Sequence, residues 1–512
     1  MASVVRSFSI EGVDGYVVEV ETKVISGQPV LSIVGLGDTA VKEAKERLEA
    51  VLSHKDFNFP QRKIVINLAP SNLKKRGSHF DLAMAVGLLI ESNQIRPKDI
   101  HKYGFIGELS LNGQLRSCIG VLPMVMAAKN ANIKDIIVPV ENMKEAGFVK
   151  GINIYGFSKL KEVTSFLEGK KPYQIPVTKD EKIEIANPFS IDFKDVQGQD
   201  ALIEYIVVAA SGGHNMLMIG APGCGKSMIA KRIPTILPNM TEEESLEVTK
   251  IYSVAGLLRN KEGLIKDRPF RSPHHNASTN ALIGGGNNAM PGEISLAHNG
   301  VLFLDEIAEF NRKTLDGLRQ PMEDKKVTIS RVNYTNTYPS NFMLIAAMNP
   351  CSCGYYGTDR CRCSDYEVLK YRRRISGPIL DRMDIQKHVQ PVDFMELSGY
   401  KMGRSSGELR ERVEKARKVQ HERYEKIEHI NCNAQMTPAL IKKYCSLENE
   451  GKRLLKLAYD RFQYSARTFH KFLKVARTFA DMESSKNIRK KDIAAALLAR
   501  DLDKEHTSML VI

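Results

Sequence analysis

At 512 residues the chain is too long for one hydrophobic core, and about two to four domains are expected. Its net charge is +14, with most of the excess after Glu367, which points to nucleic acid or an acidic partner surface, a solvated helical surface being the alternative. No apolar stretch of about 18 residues is free of charge, MASVVRSFSIEG lacks the apolar centre of a signal peptide, and eight cysteines in so long a chain suit reduced thiols; a cytoplasmic protein with no membrane partner is expected.

In chain order, GYVVEVETKVI alternates like a strand pair. DTAVKEAKERLEAVLSH reads as an amphipathic helix capped by Asp38, and FDLAMAVGLLIES as a buried one. GKKPYQIPVTKDEKIEIANPF loses all periodicity and reads as a linker. The expected organisation is a first domain over 1–167, a linker over 168–188, a nucleotide-binding α/β core over 189–395 and a helical domain over 396–512. In the last, SGELRERVEKARKVQHERYEKI places Leu409, Val413, Ala416, Gln420, Tyr424 and Ile427 on one stripe. EGKRLLKLAYDRF, SARTFHKFLKVARTFADM and RKKDIAAALLARD follow as further helices.

Chemistry begins at LMIGAPGCGKSMIAKRIP, an apolar strand, a glycine loop and a helix start. Gly220, Gly225, Lys226 and Ser227 form G-x-x-x-x-G-K-S, with Ala221, Pro222, Gly223 and Cys224 between them and Met228 after. Glycines let successive N–H groups turn inward as an anion nest, and the helix start adds positive charge. Lys226 would reach the β- and γ-phosphates of ATP, and Ser227 would bind Mg²⁺. NGVLFLDEI ends a strand in Asp305, a second Mg²⁺ candidate, and Glu306, placed to orient or deprotonate a water. FMLIAAMNP ends another in Asn349, which can hold the γ-phosphate or the water. GPILDRMDI and SARTF offer Arg382 and Arg467 to the transferring phosphoryl group.

This order of motifs is similar to the AAA+ ATPases. DVQGQDALIEYIVVAASGGHNMLMIGAPGCGKS, FRSPHHNASTNALIGGG, PGEISLAHNGVLFLDEIAEF, LRQPMEDKKVTISR and AAMNPCSCGYYG together resemble the YifB/ComM family of magnesium-chelatase-like AAA+ proteins, over essentially the whole chain. The resemblance implies an α/β fold with an AAA+ αβα core, a C-terminal helical lid and hexameric rings. It makes Arg382 a finger into the neighbouring subunit's site and Arg467 the second sensor. It also implies an ATP-driven motor on single-stranded or branched DNA, ComM-like proteins being implicated in branch migration during recombination and natural transformation. The alternatives are a chelatase-type motor that remodels a protein partner and an ATP-dependent protease.

KKVTISRVNYTNTYPSNF alternates around Asn333 like a hairpin and resembles one that in related helicases grips DNA; Lys325, Lys326 and Arg331 are its candidate phosphate contacts. Thr279–Glu293 is glycine-rich, either a second pore-facing insert or a crossover. Cys351, Cys353, Cys361 and Cys363 could supply an S₄ site for a structural Zn²⁺, free thiols being the alternative. YGFIGELSLNGQLRSCIGVLPMVMAAKNANIKDIIVP resembles the Lon proteolytic domain of ribosomal-protein-S5 type, an α+β fold. His79 falls at the Lon serine position, one residue from Ser78, and Leu122 at that of the lysine base, so no peptidase is expected. Lys74, Lys75 and Arg76 form a candidate basic tip.

Overall fold

The computed structural model describes residues 2–53, 56–173, 191–258, 263–331, 334–391 and 403–502. The chain packs as two units. The first is Met1–Ile183 with Ser245–Ile265 and Asn336–Tyr338; the second is Glu184–Glu244, Lys266–Thr335 and Pro339–Ile512. The expected linker lies largely, and the border at 395–396 wholly, outside the described residues, as does Asn333.

The first unit is a seven-stranded sheet in the order Leu31–Val34, Lys63–Ala69, Asp14–Ile25, Ser3–Glu11, Tyr103–Phe105, Asp135–Pro139 and Asn153–Phe157. The GYVVEVETKVI stretch is one strand, not a pair. Its antiparallel partners are Ser3–Glu11 and Lys63–Ala69, because the chain turns at Gly12 (φ 62°) before it. Helix Thr39–Leu52 is capped by Asp38, which accepts from the Val41 N–H at 3.0 Å. Helix Asp81–Glu91 is apolar all round and buried along nearly its whole length. The two excursions from later in the chain, Ser245–Ile265 and Asn336–Tyr338, are invisible in the sequence. Leu246 packs against the cluster around Phe8 and Val121, and Lys250 pairs with Asp14 at 2.7 Å.

The second unit is built on a five-stranded sheet in the order Phe270–Arg271, Val301–Leu304, Met343–Met348, Met216–Ile219 and Ile385–His388. Every pairing is parallel, so all strands end at one edge. Its central strands are buried along their whole length, as sheets covered on both faces must be. The rest is helical: Ser406–Tyr424 buries the expected stripe from Leu409 to Tyr424, while Ile427 lies beyond its end, packed against the same core. Gln420 is tolerated there because its amide donates to the Ser211 carbonyl at 3.0 Å and accepts from the Asn433 N–H at 2.9 Å. Helices Pro438–Tyr444, Asn449–Phe462, Ala466–Met482 and Lys490–Leu498 complete it. The α/β class, parallel core and helical C-terminal region expected from the sequence are those observed. No helix among the described residues is long and apolar enough to cross a membrane.

Candidate functional site

Strand order decides what meets at the carboxyl edge. Met343–Met348 lies between Met216–Ile219 and Val301–Leu304, so Asn349 falls between the glycine loop and the Asp305–Glu306 pair. The loop turns through Gly223 (φ 81°) and Gly225 (φ 87°), both left-handed, and a Cβ on Gly223 would meet nothing within 4 Å. Gly220 is needed for a different reason: a Cβ there would stand 2.7 Å from the Val389 carbonyl oxygen. Helix Lys226–Arg232 follows at once.

The polar groups of this edge satisfy one another. The Lys226 ammonium donates to the carbonyls of Gly220 (2.6 Å) and Ala221 (2.9 Å) and to Asn349 Oδ1 (3.3 Å). The Ser227 hydroxyl donates to Asp305 Oδ2 at 2.5 Å, and Asp305 Oδ1 accepts from the Glu306 N–H at 3.0 Å. Glu306 has φ 49°, a backbone strain of the kind held at working sites. Its Oε2 lies 3.3 Å from His275 Nδ1. His275 belongs to the FRSPHHN stretch, to which the sequence reading gives no role. An ammonium on a left-handed glycine loop that leads into a helix fits a polyphosphate, and two hard oxygens facing each other fit Mg²⁺.

Arg382 and Arg467 are elsewhere. The Asn215 side-chain amide, at the start of the loop's strand, donates to the Arg382 carbonyl at 3.1 Å. Five residues of strand at ~3.3 Å each put this amino edge about 16 Å from Gly220. Here both arginines pair with the same oxygen of Glu323, Arg382 at 2.6 Å. They line a cavity of about 540 Å³ that also holds Lys325, Lys471 and Lys474.

That placement takes Lys325 away from the hairpin's outer face. The hairpin exists, as strands Lys326–Arg331 and Tyr334–Pro339, but Lys325 sits at its base, left-handed at φ 55°. Lys326 is exposed, and Arg331 donates to Asn280 Oδ1 at 2.7 Å. The glycine-rich stretch packs on the hairpin, since a Cβ on Gly284 would come within 2.4 Å of Ile329.

The four cysteines converge, with all four sulfurs within 4.8 Å of one another. Cys351–Cys353, Cys353–Cys361 and Cys351–Cys361 are 3.3, 3.8 and 3.9 Å apart. Four Zn–S bonds of ~2.3 Å in a tetrahedron demand about 3.8 Å. The N–H of Arg362, then that of Tyr355, draw the Cys353 thiol down to about 6, while burial pushes Cys351 up to about 12. The loop touches the nucleotide side: a Cβ on Gly354 would stand 2.8 Å from Pro222 Cδ.

In the first unit, Leu122 and His79 are buried among core side chains. Burial pulls the His79 imidazole down to about 4. Lys75 corrects the basic-tip reading: it is fully buried, and its ammonium donates to the carbonyls of Pro70 and Leu73.

Comparison with known proteins bears on the same regions. The family model described as "Magnesium chelatase, subunit ChlI" matches residues 192–397. "Subunit ChlI of Mg-chelatase" matches 20–142, and the ChlI C-terminal model 403–500. "Competence protein ComM" of Haemophilus influenzae is 38% identical over 501 residues, covering 97% of this chain and 96% of that one. An uncharacterized YifB of Escherichia coli is 38% identical over 98% of this chain and 97% of its own. A Lon protease of Karelsulcia muelleri is 26% identical over 164 residues, 30% of this chain and 19% of that protein.

Proposed function

The chain belongs to the YifB/ComM family of magnesium-chelatase-like AAA+ proteins, and on that premise we propose that it hydrolyses ATP and spends the energy moving DNA, as a branch-migration helicase or translocase in recombination or natural transformation. The observation that carries the hydrolysis is the convergence of Lys226, Ser227, Asp305, Glu306 and Asn349 on one sheet edge. Residues Gly220 to Met228 wrap the phosphates. Lys226 exchanges its two loop carbonyls for phosphate oxygens, and Ser227 turns its hydroxyl from Asp305 toward the metal. Mg²⁺, when bound there, neutralises phosphate charge. Glu306 takes the proton of the attacking water, with His275 steadying its carboxylate, and Asn349 holds the water or the γ-phosphate.

Arg382 and Arg467 stand at the opposite edge, too far to serve their own loop. In a ring of identical copies, a hexamer as in the AAA+ family, they serve the next subunit's nucleotide, so hydrolysis depends on assembly. DNA is the substrate of choice because the hairpin presents Lys326 and Arg331 to phosphates, and the basic excess of the chain favours a polyanion. The cysteine set fits a structural Zn²⁺, with four ligands and no open position. Leu122 in place of a base argues against peptide hydrolysis.

A second reading, a motor that remodels a protein partner, is favoured by the chelatase models matching all three parts of the chain. ATP turnover with and without forked or four-way DNA, at low and moderate salt and with Glu306→Gln as blank, separates the two. Stimulation that fades with salt is expected; turnover indifferent to DNA sinks the DNA motor and leaves the remodeller.

A further inference from the structure

The cavity at the amino edge carries more positive charge than its carboxylates can balance. Four carboxylates face seven lysines and arginines: Glu323 is taken by Arg382 and Arg467, Glu244 by Arg268 at 2.9 Å and Asp384 by His214 at 3.1 Å, while Asp381 makes no ion pair among the described residues. Lys325, Lys471 and Lys474 also line it, and none has a carboxylate within ion-pair distance among the described residues. Lys474 is accounted for by the Ala434 carbonyl at 2.7 Å. Lys471 has only the Met383 carbonyl at 3.3 Å, and the Lys325 ammonium has no acceptor among the described residues.

Sequence and fold conspire to keep these charges inside. Arg467, Lys471 and Lys474 recur at helical spacing on Ala466–Met482, from exposed Arg467 to half-buried Lys474 with Lys471 buried between them. Lys325 is pinned at both backbone groups, its N–H on the Pro321 carbonyl at 3.1 Å and its carbonyl on the Ser340 N–H at 2.8 Å. Burial lowers the Lys325 ammonium and brings Lys471 down to about 8. An ammonium held out of water without a carboxylate partner is costly, and Lys471 has Asp384 and Asp381 only through space. Lys75 shows the structural solution, with its ammonium on two carbonyls. A cavity of about 540 Å³ has the size of a ligand site.

We propose that this cavity is a second phosphate-binding site, in which Lys325 and Lys471 join Arg382 and Arg467 around the terminal phosphates of a nucleotide carried by a neighbouring copy. It rests on the ATPase reading above and extends it by two phosphate-binding lysines. A phosphate tail supplies the acceptors the ammonium groups lack, and the planar guanidinium groups take its oxygens in pairs. Glu323 keeps the two arginines side by side until phosphate displaces it.

The test uses the full chain carrying Lys226→Ala, which disables its own loop, and inorganic tripolyphosphate as probe. Calorimetry at low salt is expected to show saturable binding that Lys325→Met with Lys471→Met weakens at least tenfold. The same pair should leave the melting temperature of the ligand-free protein equal or higher, because two unpaired buried charges are removed. Binding indifferent to the methionines overturns the proposal, and so does a lower melting temperature, which would make the lysines structural. Loss of self-association without any tripolyphosphate binding also overturns it, giving the cavity to an acidic side chain of the neighbour. With Lys226 restored, the pair should slow ATP turnover. Lysine-dependent tripolyphosphate binding in a chain that never turns over ATP would sink the ATPase reading and leave the cavity standing; turnover with lysine-independent binding would do the reverse.

Discussion

The two edges of the five-stranded sheet solve opposite problems. At the carboxyl edge every key group has an internal partner: Lys226 on Gly220, Ala221 and Asn349, Ser227 on Asp305, Glu306 on His275. A nucleotide arriving there must compete with bonds already made. At the amino edge the cations outnumber their partners, and Lys325 has no acceptor among the described residues. An edge that cannot satisfy itself needs something from outside. One edge is satisfied within the chain; the other, on the reading proposed above, is completed by another copy.

The largest effects should come from breaking the self-contained edge. Lys226→Ala is expected to abolish ATP turnover, and Glu306→Gln to cut it by about 10²–10⁴ while ATP still binds, as a general base lost in place should. Turnover and equilibrium nucleotide binding measured together check this. Next is the open edge. Arg382→Ala should cost about 10³-fold or more in turnover. Mixed with the Lys226→Ala protein it should regain part of the activity, because each chain supplies what the other lacks. A mixture as dead as its parts would place Arg382 outside the neighbour's site.

Smaller effects concern the scaffold. Metal analysis should find one Zn²⁺ per chain, lost on Cys351→Ser together with roughly 5–10 °C of melting temperature. Acid should loosen the first unit. His79 is held neutral by burial, with its folded value near 4 against 6.5 free. Its contribution is therefore complete above pH 6.5 and disappears as pH falls from 6.5 toward 4, up to about 3 kcal/mol. His79→Leu should flatten that part of the stability–pH curve measured by denaturant unfolding. The smallest shift is in salt response: Lys326→Ala with Arg331→Ala should reduce the log–log salt slope of DNA binding by about 1.5–2.

The nucleotide loop, the Asp-Glu strand and the Asn349 strand were legible because phosphate chemistry demands fixed residue types at short spacing, each tied to a strand end. The cysteine cluster was legible for the same reason. The lid's stripe from Leu409 to Tyr424 followed from helical period alone. His275 and Glu323 were not legible, since each acts on a partner far away in sequence and neither spacing nor residue type marks it.

By itself, then, the sequence determined the family, most of the elements and the glycine-loop motif, because these depend on local period and on contiguous motifs. Only the tertiary structure decided the rest. Strand order put Asn349 beside Lys226 and moved Arg382 and Arg467 to the far edge. Burial separated Lys75, which holds two carbonyls, from Lys326, which faces solvent, and turned Lys325 from a hairpin charge into a cavity charge. Whether a lysine is a surface charge, a structural donor or a ligand-binding group depends on how many acceptors the fold brings within 3 Å, and that is a property of long-range packing no local pattern contains.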